Sequence, residues 1–129
     1  MSILHDLVID AAHPASLARF WAAALDGYEI APYDDAEIAR LAANGIFDIE
    51  DDPSVLLVRE DGGEPRVIIQ LVPEGKAAKN RVHLDLRSAD HDAELARLGG
   101  LGARVLEDYA GHTTLADPEG NEFCLIRPS

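Results

Sequence analysis

The sequence predicts an α+β fold built from two tandem βαβββ modules, and three observations point there. His5 is followed 12 to 14 positions later by Leu17-Ala18-Arg19, and His83 at the same offsets by Leu95-Ala96-Arg97, a spacing of 83 − 5 = 78 residues. Self-similarity at a fixed period marks a repeated structural unit. Each copy then closes on an apolar run ending in proline, Val67-Ile68-Ile69-Gln70-Leu71-Val72-Pro73 and Phe123-Cys124-Leu125-Ile126-Arg127-Pro128, and Gln70 is expected to match Cys124. Finally, Asp117-Pro118-Glu119-Gly120-Asn121 is a tight turn feeding the last strand, because proline presets one turn angle and glycine accepts the conformation that reverses the chain. The expected layout is a single domain over 1–129, with module 1 at about 3–73, a linker at 74–80 and module 2 at 81–128. Neither half could bury an apolar sheet face alone, so the halves are expected to form a concave, half-barrel-like mixed sheet with helices on its outer face.

In module 1, residues 3–10 open with a short apolar run that suits a strand. Pro14 suits the first turn of a helix in which Leu17, Phe20, Trp21, Ala24 and Leu25 recur at helical spacing before Gly27 ends it. Residues 34–44 form a shorter helix with Ile38, Leu41 and Ala42 on one side and Gly45 after it. This stretch has no counterpart in module 2 and is therefore an insertion; an acidic loop follows at 46–53, and the acidic segment from Asp34 to Asp52 is a candidate lid over a cleft. Strands at 54–59 and 66–72 flank the turn-forming Asp61-Gly62-Gly63. In module 2, residues 82–87 form a strand, Asp90 caps a helix through Leu101 that Gly102 ends, and strands follow at 103–108, 112–116 and 121–127.

Composition narrows the function. A length of 129 residues is ample for one core without staples. No long apolar run or secretory leader is seen, so no membrane partner is expected. Cys124 is the only cysteine, and a cytoplasmic location fits. A formal net charge of −13 opposes a phosphate backbone, so no nucleic-acid partner is expected.

Alternate strand residues point to opposite faces. Leu84 and Leu86 therefore oppose His83, Asp85 and Arg87, while Phe123 and Leu125 oppose Glu122, Cys124 and Ile126. Polar faces cannot enter a dry core unpaired. A hollow lined by His5, Gln70, His83 and Cys124 resolves this, with His112, Tyr33 and Phe47 as further ligand contacts. His83 with Asp85 or Glu122 forms a candidate proton-transfer pair. His13 and His91, at helix starts, are expected to carry no chemistry.

The duplicated pattern, the Leu17-Ala18-Arg19-Phe20-Trp21 helix, the Arg81-Val82-His83-Leu84-Asp85-Leu86 strand and the closing Asp117-Pro118-Glu119-Gly120-Asn121-Glu122-Phe123 together resemble the vicinal oxygen chelate superfamily, in its glyoxalase-like and bleomycin-resistance-like branch. The resemblance implies that metal-using members draw ligands from the first and last strands of each half, which here match His5, Gln70, His83 and Cys124. It also exposes a departure. Glyoxalase I enzymes usually place carboxylates where Gln70 and Cys124 stand, and ring-cleaving dioxygenases place one at Cys124. Imidazoles, an amide and a thiol suit zinc better than a hard ion. The expectation is a homodimeric protein that binds a small organic molecule, such as a drug or metabolite, without a cofactor and without glyoxalase I activity. The alternatives are a lyase, isomerase or dioxygenase using a divalent metal ion such as zinc, and a metal-free acid-base enzyme.

Overall fold

The computed structural model describes residues 1–129, and the chain divides into two compact units, Met1–Gly75 and Lys76–Ser129. Each unit has its own open four-stranded mixed sheet. The first contains β1 (Asp6–Ala11), α1 (Pro14–Ala24), β2 (Tyr28–Ile30), α2 (Asp35–Ala43), a 3-10 turn at Ile49–Asp51, β3 (Ser54–Arg59) and β4 (Arg66–Leu71), in sheet order β1-β4-β3-β2. The second contains β5 (Leu84–Arg87), α3 (His91–Leu101), β6 (Arg104–Asp108), β7 (His112–Ala116) and β8 (Glu122–Ile126), in the matching order β5-β8-β7-β6. In both, the first strand runs parallel to the last and the other neighbours are antiparallel. That is the expected pair of βαβββ modules. No helix is long and apolar enough to cross a membrane.

The helices form where local chemistry directs them. Pro14 occupies the first turn of α1, whose apolar stripe buries Leu17, Phe20 and Trp21, with the Phe20 and Trp21 rings edge to face at 5.1 Å. This helix packs on β2, β3 and β4. Asp34 and Asp90 cap α2 and α3 by accepting from the backbone N–H groups of Glu37 and Ala93. Gly102 closes α3 at φ +117°, and a Cβ there would meet the Pro118 ring at 3.2 Å, so only glycine fits without strain. One face of β8 supplies fully buried Phe123 and Leu125 to the core beside Leu98 and Leu115.

Three boundaries differ from expectation. β2 is absent from the sequence reading because three residues give no alternation to detect; it forms by antiparallel pairing of Tyr28 with Arg59 and Ile30 with Leu57. β1 begins at Asp6 rather than residue 3, since its partner β4 begins at Arg66, level with Asp6; Ile3 and Leu4 are exposed. β5 likewise begins at Leu84, level with Phe123, so residues 82 and 83 lead into the strand.

The repeat is also offset by one residue from the triplet spacing. Helix starts Pro14 and His91, and helix ends Ala24 and Leu101, each differ by 77 (91 − 14 and 101 − 24). This brings buried Trp21 into the position of buried Leu98, and Leu7 into that of Leu84. Leu7 lies level with Val67 and Leu84 with Phe123, so the residue matching Cys124 is Ile68 and the one matching Gln70 is Ile126. The expected match of Gln70 with Cys124 is therefore corrected by the strand registers.

Candidate functional site

The open face of the second sheet carries the densest chemistry. His83 leads into β5, Asp85 follows on the same side, and Cys124 lies level with Asp85 on β8. Their ligating atoms all fall within 4.8 Å of one another, and His83 Nε2 stands 3.2 Å from Asp85 Oδ1. The Cys124 thiol lies 3.5 Å from the Thr114 hydroxyl on β7. These four side chains line a cavity of about 470 Å³ together with Tyr109 and His112, and Lys79, Glu122 and Ile126 complete its wall. Tyr109 and His112 stack with centroids 4.7 Å apart and planes 27° from parallel, a flat surface suited to a planar ligand.

Glu122 is held in one charge state. Burial opposes its ionisation, but the Asn80 N–H and the Lys76 ammonium, each 3.0 Å away, outweigh that cost and lower its pKa to about 2. A carboxylate so stabilised is a weak base. The Asp117 to Asn121 turn acts on geometry. Buried Asp117 accepts from the N–H groups of Glu119 and Asn121, and Gly120 takes φ +91°. This turn delivers β8 in register with β7.

Module 1 is equipped differently. Under the 77-residue repeat its counterparts of His83, Asp85 and Cys124 are Asp6, Val8 and Ile68, so the donor cluster is not duplicated. His5 is exposed at the strand entry, where its ring contacts Glu64 and Arg66. Gln70 sits level with Asp10 and donates to its carboxylate at 3.4 Å. Five residues separate His5 from Asp10, roughly 16 Å of strand; β1 and β4 therefore do not bring His5 and Gln70 to one point. Tyr33 lines a separate cavity of about 430 Å³, where it donates to buried Asp52 at 2.7 Å. Desolvation, then the hydrogen bond to Asp52, raises the Tyr33 pKa, so it remains a neutral donor. Phe47 is 85% exposed and lines neither cavity.

The sequence reading passed over Thr114, Lys79 and Asp52. Parity along β7 could have found Thr114, two residues from His112. Nothing local marks the others, whose roles depend on pairing across the fold.

The donor set can be tested against a metal ion. Tetrahedral zinc with ligand bonds of about 2.0–2.3 Å places its donors roughly 3.3–3.8 Å apart, so a cluster within 4.8 Å closes on such an ion with small movements. One nitrogen, one oxygen and one sulfur suit zinc. A single carboxylate is a poor offering to magnesium or calcium.

The sequence profile of a family described as "glyoxalase-like domain" matches residues 6–126. No curated protein matches the chain significantly. Among solved structures, the fosfomycin resistance protein FosX from Mesorhizobium loti is similar over 100% of this chain and 94% of its own, at 17% identity and a TM-score of 0.68. A glyoxalase/bleomycin resistance protein/dioxygenase family enzyme from Burkholderia phytofirmans PsJN is similar over 98% of both chains, at 14% identity and a TM-score of 0.64. A possible glyoxalase from Bacillus cereus is similar over 98% of both, at 14% identity and 0.62. At these identities the likeness is one of fold.

Proposed function

The chain belongs to the glyoxalase-like domain family, and from that premise we propose that it is a cytoplasmic protein binding a small organic molecule on the open face of β5-β8-β7-β6. The cavity of about 470 Å³ carries this reading. Its volume falls within the roughly 300–1,000 Å³ typical of sites for drug-sized ligands, and its lining combines a stacked ring pair with a few convergent polar groups. The rings supply area, while His83, Asp85 and Thr114 supply orientation. The donor set departs from the carboxylate-rich pattern of glyoxalase I, so the reading does not include that activity.

Thr114→Trp tests this by filling the cavity from a half-buried position without touching the core. Thermal-shift and calorimetric titration against planar phenols, heteroaromatic amides and fosfomycin should find a binder for the wild type that the variant has lost. Equal binding by both proteins would sink the reading.

A second reading rests on the His83, Asp85 and Cys124 cluster: these residues hold a zinc ion, which when bound supplies a Lewis acid to polarise a ligand oxygen. His5 and Gln70 have no part in this set. Protein purified without chelator should then carry about one zinc per chain, lost in Cys124→Ser, and its cobalt form should show thiolate-to-metal charge-transfer absorption. Cobalt binding without that band would exclude the thiolate. A homodimer belongs to the proposal because open sheets leave edge strands to cover; sedimentation equilibrium at micromolar concentration should give the mass of two chains.

A further inference from the structure

Beneath the cavity, on the helix-facing side of the same sheet, runs a chain of hydrogen bonds that the ligand-binding reading does not use. His91, the first residue of α3, is 7% exposed, and its Nε2 lies 2.9 Å from the hydroxyl of fully buried Thr113. That hydroxyl donates to Asp108 Oδ1 at 2.7 Å, where Arg127 also donates at 2.7 Å. An ionised carboxylate only accepts, so the Thr113 proton points to Asp108 and its oxygen must accept from His91. His91 therefore carries its proton on Nε2. Its Nδ1 is the one buried side-chain nitrogen or oxygen without a hydrogen-bond partner.

A β-bulge makes this chain possible. Arg104 pairs with Ala116 and Val105 with Leu115, each pair of numbers summing to 220; after Leu106, Glu107 pairs with Thr114 and Asp108 with Thr113, summing to 221. Leu106 is the extra residue. Had the register continued without the bulge, Asp108 would lie opposite His112 on the open face; with the bulge it joins Thr113 on the helix side. The three-residue connection that follows is tied by Tyr109 N–H to His112 O at 2.8 Å, by Arg127 N–H to Gly111 O at 2.9 Å and by the Arg127 guanidinium to Tyr109 O at 3.3 Å. Tyr109 and His112 are thereby turned together into the cavity.

We propose that the bulge at Leu106 and the Asp108, Thr113 and His91 chain form a positioning device that fixes the Tyr109 and His112 stack as the ligand-facing wall of the cavity. The inference rests on the ligand-binding reading only for the meaning of that wall. Its geometry can be tested in the ligand-free protein, so failure of one does not entail failure of the other.

The test is NMR of the full chain. His91 should show the Nε2–H tautomer in a long-range ¹H–¹⁵N spectrum, and the His112 ring protons should be displaced upfield by the Tyr109 ring. Thr113→Val should abolish that displacement and release the tautomer preference, whereas Thr113→Ser should retain both. Asp108→Ala, at an exposed position, supplies the same test should the buried variant not fold. A folded Thr113→Val or Asp108→Ala that keeps the His112 displacement, or an Nδ1–H tautomer in the wild type, would overturn the proposal.

Discussion

Replacing Phe123 with alanine and, separately, Cys124 with alanine should have very different costs, because adjacent residues of β8 serve opposite faces. Phe123 is 0% exposed among Leu98, Leu115 and Leu125, and removing its ring leaves a cavity in the core. Such a change costs about 3–5 kcal/mol, against a total of about 5–15 kcal/mol for a folded domain. Cys124, although 8% exposed, faces the open cavity, and its loss removes one methylene-sized group worth roughly 1 kcal/mol. With a urea m-value of about 1–3 kcal/mol per molar, the Phe123 variant should move its midpoint down by at least about 1 M. Because the chain divides into two units, amide exchange in β7 and β8 is the local readout, and protection there should fall by the same free energy. Equal losses in the two variants, or a Phe123→Ala cost below about 1 kcal/mol, would refute the face assignment.

Other consequences follow from single contacts. The folded pKa of Glu122, about 2, is below its ordinary 4.5, so the unfolded chain binds the extra proton. Its stabilising contribution is complete above pH 4.5 and lost as the pH falls through about 2; Glu122→Gln should flatten the thermal-midpoint profile across that window. Tyr33→Phe leaves the buried Asp52 carboxylate with the Ser54 N–H as its remaining donor, which should cost about 1–3 kcal/mol in denaturant unfolding. Gly102→Ala forces a side chain into φ +117° against Pro118 and should cost about 1–3 kcal/mol, whereas Gly100→Ala, inside α3 with open space around it, should be neutral or stabilising.

The parts of the fold visible in the sequence were those governed by short-range rules. Pro14 at a helix start, the Asp90 cap and Gly102 at a helix end act within one turn, and the alternation of Phe123 and Leu125 with Cys124 states the two faces of β8 directly. The duplication was visible too, but a one-residue error in its offset reverses every face assignment carried across it. That is why His5 was matched to His83, when the repeat places Asp6 there; the match of Gln70 to Cys124 errs by two residues, since the registers place Ile68 there. β2 is too short to announce itself. The bulge at Leu106 leaves no hydrophobic signature, and the Tyr33–Asp52 and His91–Thr113 contacts join residues 19 and 22 positions apart. For the candidate site, His83, Asp85, Cys124 and Glu122 could be assigned to one face in advance, because parity on β5 and β8 is local; His112 was named as a ligand contact without a face assigned by parity.

The most direct test is chemical-shift mapping of the ¹⁵N-labelled chain against the same panel of phenols, heteroaromatic amides and fosfomycin. Binding on the open face of the second sheet predicts saturable shifts concentrated at His83, Asp85, Tyr109, His112, Thr114 and Cys124, with Phe123 and Leu125 little affected. Saturable shifts confined to other surfaces, with those six residues unmoved, would contradict it.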